Sequence, residues 1–177
     1  MKKLRLVLLA AAIAAIPFSA QAQSCTSLSC DYITDGAFTQ EDTYWTRSAN
    51  ATWDYVPGCL WGNPTTTVAE PNPGGSVSQT FYVNGAYTSY AMRWVAFLLN
   101  DTNTAYDQLT VRVYNHSTGA TESHYLNGNT YNGSCTYNSW TLSNDYDYDW
   151  VTVTFSVAGL TSGTWQVDDV AWFARFY

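Results

Sequence analysis

The sequence predicts an all-β protein built as a single antiparallel β-sandwich. Three observations carry that expectation. No segment beyond residue 22 keeps a helical hydrophobic period. Short runs rich in Val, Thr, Tyr, Phe and Trp recur instead, separated by Gly, Asn, Pro and Asp. Within Leu109–Tyr114 and Val151–Val157 apolar and polar side chains alternate strictly, as in strands that bury one face and wet the other.

The first residues belong to a different element. Met1–Arg5 is basic, Leu6–Ile16 is a short apolar run, and Ser19-Ala20-Gln21-Ala22 ends in a small-x-small pattern. This reads as a secretory signal peptide over residues 1–22, too short and wrongly flanked for a membrane span. Residues 23–177 then make one domain, large enough to bury a core.

The clearest strands are Ser76–Val83, Tyr90–Leu99, Gln108–Tyr114, Trp150–Val157 and Thr164–Phe173. Weaker ones cover Asp31–Thr34, Thr43–Arg47, Ala51–Tyr55, Thr66–Ala69 and Glu122–Leu126. Pro57–Pro64, Glu70–Gly75 and Tyr131–Asn138 read as loops, and Asn127-Gly128-Asn129 as a tight turn. Trp45, Trp94, Trp150 and Trp165 are expected in the core.

Charge narrows the partners. Beyond residue 22 four arginines and no lysine stand against 14 acids, a net charge of −10. So few cations against so many acids disfavour a polyphosphate partner, so neither nucleic acid nor an anionic membrane surface is expected. Cys25, Cys30, Cys59 and Cys135 are an even set in an exported chain and lack metal-site spacing. Three pairings are possible. Cys25–Cys30, stapling the amino terminus, and Cys59–Cys135, joining two loops, are the expected pair of disulfides.

Asp168 and Asp169 interrupt an apolar, aromatic final strand. Strand alternation sends them to opposite faces, so one carboxylate meets an apolar side and needs a cation or backbone donors to compensate it. Asp145-Tyr146-Asp147-Tyr148-Asp149 does not fit an EF-hand, because Trp150 and Ser156 occupy the required Gly and Glu positions. It reads as a solvated acidic loop.

Ile33-Thr34-Asp35-Gly36-Ala37-Phe38 with Trp45, the strands at Ser76–Phe81 and Asp107–Val111, and the closing Trp165–Val170 run appear in this order. Together they resemble the galactose-binding-like and carbohydrate-binding-module jelly rolls of bacterial extracellular proteins. The resemblance spans nearly all of residues 23–177. It implies a structural calcium between the first and last strands, with Asp168, Asp35 and the segment reaching Glu41 as ligands. Ala37 and Thr39 depart from the acidic residues often found there.

Eight Trp and fourteen Tyr point to stacking on sugar rings, with short amides for the hydroxyls. Trp61 in one loop, with Tyr131, Tyr137 and Asn138 in another, would form one surface if Cys59 bonds Cys135. His116 and the Glu122-Ser123-His124 run are read as exposed or structural. No nucleophile elbow, zinc-protease motif or phosphate loop is present. The expected function is an exported, non-catalytic binder of a neutral polysaccharide or cell-surface glycan, secreted or periplasmic, with structural calcium. The alternatives are a structural or adhesive secreted protein, a small β-sandwich glycoside hydrolase or lyase, and an outer-membrane barrel. The barrel is disfavoured because acidic and Asn-rich segments break any lipid-facing band.

Overall fold

The computed structural model describes residues 24–26, 28–56, 66–100, 108–131, 133–158 and 164–176. The first half of the chain gives β1 (Ser24–Cys25), β2 (Ser29–Asp31), β3 (Thr46–Arg47), β4 (Ala51–Val56), β5 (Thr66–Pro71) and β6 (Ser76–Tyr82). The second half gives β7 (Ser89–Asn100), β8 (Gln108–Asn115), β9 (Thr121–Asn127), one helical turn α1 (Gly128–Tyr131), β10 (Thr136–Leu142), β11 (Trp150–Val157), β12 (Thr164–Asp168) and β13 (Ala171–Arg175). The predicted leader, residues 1–22, lies outside the described residues. Among the described residues no helix is long and apolar enough to cross a membrane.

Two sheets face each other, so the architecture is a β-sandwich and not a closed barrel. The smaller sheet runs β3-β6-β11-β8-β9, and the larger β1-β2-β13-β7-β12-β5-β4 with β10 added to β7. All their pairings are antiparallel. Alternation does the sorting. β11 reads buried at every second residue, and its Val151, Val153 and Phe155 meet Phe97, Leu99 and Trp165 from the opposite sheet in one apolar core. Trp172 is a hub, with Tyr32, Phe81, Tyr90 and Tyr146 rings 5.1–5.7 Å away.

One polar contact crosses this core. The Gln79 amide, on β6, lies 2% exposed. Its Oε1 accepts the Thr34 N–H at 2.9 Å, and its Nε2 donates to the Thr34 carbonyl at 2.8 Å. Both backbone groups of Thr34 are thereby satisfied where no strand partner does so.

The expected final strand is broken. β12 and β13 lie end to end along β7, and Asp169, at φ 53°, separates them. The Val170 N–H turns away to the Gly36 carbonyl at 2.9 Å. A Cβ on Gly36 would stand 2.0 Å from the Val170 carbonyl oxygen, so only glycine fits there. Strict alternation across Asp168-Asp169 therefore does not hold.

Other expectations need correction. Tyr131–Asn138 was expected to be loop throughout, yet Thr136–Asn138 open β10, and Thr136–Leu142 pairs along β7 with a bulge between Asn138 and Trp140. A central partner strand overrides the weak β-propensity of Asn138 and Ser139. The Asp31–Thr34 strand ends at Asp31, and Thr43 closes a 3-10 turn before β3. Trp45 and Trp165 are buried as expected, but Trp150 is half-exposed on the outer face of its sheet. The Trp94 side chain is outside the described set.

Cys25 and Cys30 face each other across the β1–β2 hairpin and form a disulfide. Cys135 is also disulfide-bonded. Cys59 lies outside the described residues.

Gln79→Leu removes two buried hydrogen bonds and strands the Thr34 N–H and carbonyl, so it should cost about 2–4 kcal/mol in denaturant unfolding. Asp31 ends β2 opposite Phe173 of β13, its Oδ1 accepting the Ile33 and Trp172 amides at 3.0 and 3.1 Å. Burial outweighs these bonds and pushes its carboxyl up from 3.8 to about 6. The folded state then holds the proton more tightly than the unfolded one. The stabilisation from protonation is complete below pH 4 and lost as pH rises through 6. Asp31→Asn should flatten that part of the melting-temperature profile between pH 4 and 6.5.

Candidate functional site

The smaller sheet turns one face to the core and the other to solvent. Its outward positions are rich in hydroxyls. β11 contributes Thr152, Thr154 and Ser156, and β6 contributes Ser76, Ser78 and Thr80. Facing hydroxyls interlock, with Thr80 and Thr152 Oγ atoms 2.7 Å apart. A polar outer face is ordinary for an antiparallel sandwich.

The aromatic residues on that face are not ordinary. Tyr82 pairs with Trp150 in register, the ring centroids 5.3 Å apart, and Tyr82 is 40% exposed. His116 follows on the other side, its N–H donating to the Trp150 carbonyl at 3.0 Å. The His116 Nε2 lies 2.8 Å from the Thr152 hydroxyl, and Tyr114 packs edge-on against the imidazole at 4.9 Å. Tyr82 and Trp150 thus pair across β6 and β11, and His116, just past the end of β8, extends the row on the same face. Tyr125 stands at the far edge on β9, 62% exposed.

Arg112 is the cation on the described strands of this face, and no outward position of those strands is Asp or Glu. The surface therefore offers apolar rings, hydroxyls and one guanidinium. That combination can stack on the C–H face of a ring and bond its hydroxyls.

The residues singled out from sequence fall elsewhere. Tyr131 is 6% exposed, its ring packed against Phe97 and Trp165 at 6.0 and 5.6 Å. Its face is therefore closed to a sugar, and only its hydroxyl reaches Asn138, at 3.1 Å. Tyr137 pairs with Ala96 opposite Asp168, on the outer face of the larger sheet. Burial, then the charges of Asp169 and Asp168, push its hydroxyl pKa up. Asn138, one residue on, points to the other side of β10. Tyr131, Tyr137 and Asn138 do not form one surface, and Trp61 lies outside the described residues. The signal for Trp150 and Tyr82 was present in the alternation of β11 and β6, which puts both on the hydroxyl side.

The acids act as ties. Glu122 accepts the Ser143 and Asn144 amides and the Tyr146 hydroxyl at 2.7–2.9 Å. Burial pushes its carboxyl up, but these donors outweigh it and hold it below the usual value. The acidic run 145–149 is bonded rather than merely solvated. Asp149, 4% exposed, accepts the Ser117 hydroxyl and the Trp150 amide, and Asp147 accepts the Tyr87 amide and the Tyr90 hydroxyl. His124 stacks flat on Trp140, centroids 4.6 Å apart, and is separated from His116 by facing the opposite side of the sheet.

The junction expected to hold calcium is built mainly from backbone. Asp35, Phe38, Glu41 and Asp169 all have φ between 45° and 56°. Asp35 turns its carboxylate inward: Oδ1 accepts the Thr39 amide and hydroxyl, and Oδ2 the Gln40 amide. Among the described residues no three His, Cys, Asp or Glu side chains are grouped to hold a metal ion. The Asp35 carboxylate is occupied by these loop donors. An ion there would depend on Asp168, 1% exposed, and on main-chain carbonyls.

No family model and no curated protein matches the sequence. Solved structures do match in shape. A family 61 carbohydrate-binding module solved with β-1,4-galactotriose superposes with a TM-score of 0.56 at 14% identity, over 81% of this chain and 98% of that one. A family 4 module gives 0.52 at 18% identity, over 81% and 99%. The CBM22-1 xylan-binding domain of Xyn10C from Paenibacillus barcinonensis gives 0.51 at 10%, over 89% and 97%. The chain has the jelly-roll β-sandwich fold of these carbohydrate-binding modules.

Proposed function

We propose that the protein binds a neutral polysaccharide through the outer face of its smaller sheet, without chemically altering it. The carrying observation is the aromatic row Tyr82–Trp150–His116, set at the end of a field of hydroxyls. Rings supply stacking area, while Thr, Ser and Arg112 supply hydrogen bonds. The three neighbouring folds, one solved with a galactotriose and one described as xylan-binding, favour the same reading. Glycoside hydrolysis normally needs two carboxyl groups at the bond cleaved. The described outward positions of this face carry none, which favours binding over turnover.

The reading includes export to a secreted or periplasmic location, for which the leader pattern and the Cys25–Cys30 disulfide are the supports. It also keeps one calcium ion at Asp168, with carbonyls from the opening segment.

A panel of neutral polysaccharides, including galactan and xylan, tests the binding by affinity electrophoresis of residues 23–177. Trp150→Ala should weaken binding by about 1–3 kcal/mol while leaving the melting temperature nearly unchanged. Undiminished binding by this variant, or no binding to any member of a broad panel, overturns the assignment. For the ion, chelation should lower the melting temperature and calcium restore it, and Asp168→Asn should abolish the response. A melting temperature indifferent to calcium in stripped protein removes the ion from the reading.

A further inference from the structure

The outer face of the larger sheet differs in chemistry from that of the smaller one. Arg93 on β7 and Arg175 on β13 line the same cavity of about 130 Å³, together with Phe173 and Thr141. Register explains the grouping. Phe173 and Thr141 both pair with Ala91, one from each side, while Arg175 pairs with Ser89 and Arg93 with Ala171. Small Ala91 forms a floor, and the two arginines stand at opposite ends of it.

The charge balance makes this grouping unusual. Beyond residue 22 acids outnumber arginines 14 to four, so any accessible guanidinium has carboxylates to choose from. Arg47 takes one, bonding Asp42 at 3.0 Å. Among the described residues neither the Arg93 nor the Arg175 guanidinium has a hydrogen bond or ion pair. The described acids are instead committed to loop amides and hydroxyls, as at Asp31, Asp35, Glu122, Asp147 and Asp149. Among the described residues Arg93, Arg175 and the isolated Arg112 have no ion-pair partner, and the first two face one cavity.

We propose that this cavity is a separate site for the anionic substituent of an acidic polysaccharide, a uronate carboxylate or a sulfate ester, gripped between Arg93 and Arg175. The guanidinium fork matches two oxygens of either group. The half-buried Phe173 ring offers a face for the sugar carbons, and the Thr141 hydroxyl a partner for a sugar oxygen. A cavity of about 130 Å³ equals the share of about four waters. It holds the acid group and the ring edge that bears it, and the rest of the chain runs over the sheet. The overall negative charge opposes such a ligand at long range. At about 0.15 M salt the screening length falls to about 8 Å, so the local arginines decide.

The test uses residues 23–177 in affinity electrophoresis at 0.15 M salt, with polygalacturonate, a sulfated galactan and a neutral galactan in parallel. Retardation by an acidic polymer is expected, and whichever of the two acts identifies the carboxylate or the sulfate as the group gripped. The double variant Arg93→Gln/Arg175→Gln should weaken that binding at least tenfold, and each single variant at least threefold, with unchanged melting temperature. Trp150→Ala should leave it within twofold. Because Trp150→Ala reports on the neutral polymer, failure of the aromatic face is read separately. No retardation by either acidic polymer, or full retardation of the arginine variants, overturns the proposal.

Discussion

The two-point bond between the Gln79 amide and the Thr34 backbone is the contact on which the rest is arranged. It joins the smaller sheet to the opening segment, which crosses between the layers without a strand to pair with. Peptide groups at that depth cannot remain unbonded without a cost of a few kcal/mol. Once Thr34 is fixed, Gly36 meets Val170 and the last strand must break. The break keeps β12 and β13 in the same register on β7, so one strand edge serves two neighbours, β5 and β2. Phe38 and Trp45 then close the end of the core, with the Trp45 indole N–H donating to the Asp35 carbonyl at 2.9 Å.

The same economy governs the charges. A chain so acidic suggests cations, yet several of the described carboxylates hold loops in place. Asp35 shapes the opening loop, Glu122 ties β9 to the turn after β10, and Asp147 and Asp149 pin the loop before β11. A carboxylate that accepts several amides fixes a loop without the conformational cost of ordering long side chains. The two sheet faces are left to other chemistry. One carries rings and hydroxyls with a lone arginine, the other a pair of arginines around a phenylalanine.

Much of the fold was legible in the residues. β11 was bounded correctly from its alternation alone, and β6, β7 and β8 to within a residue or two, because period-two burial leaves a pattern that no helix shares. The hairpin disulfide was legible from spacing. The jelly-roll class was legible from the order of the opening and closing motifs. The site was less so. Trp150 looked like core, because a tryptophan opening an apolar strand usually is. Its parity with Thr152 and Thr154 placed it outside, beside Tyr82. Tyr131 looked like a loop aromatic but fills the gap between Phe97 and Trp165.

By itself, then, the sequence determined which residues alternate, how the charge is balanced and which cysteines lie close enough to staple, since these depend on neighbours along the chain. The tertiary structure alone decided the break at Asp169, the pairing of β10 with β7, the aromatic row of Tyr82, Trp150 and His116, and the meeting of Arg93 with Arg175. Each depends on cross-strand register between segments tens of residues apart, and register is set by how two sheets fill one core, not by any local preference.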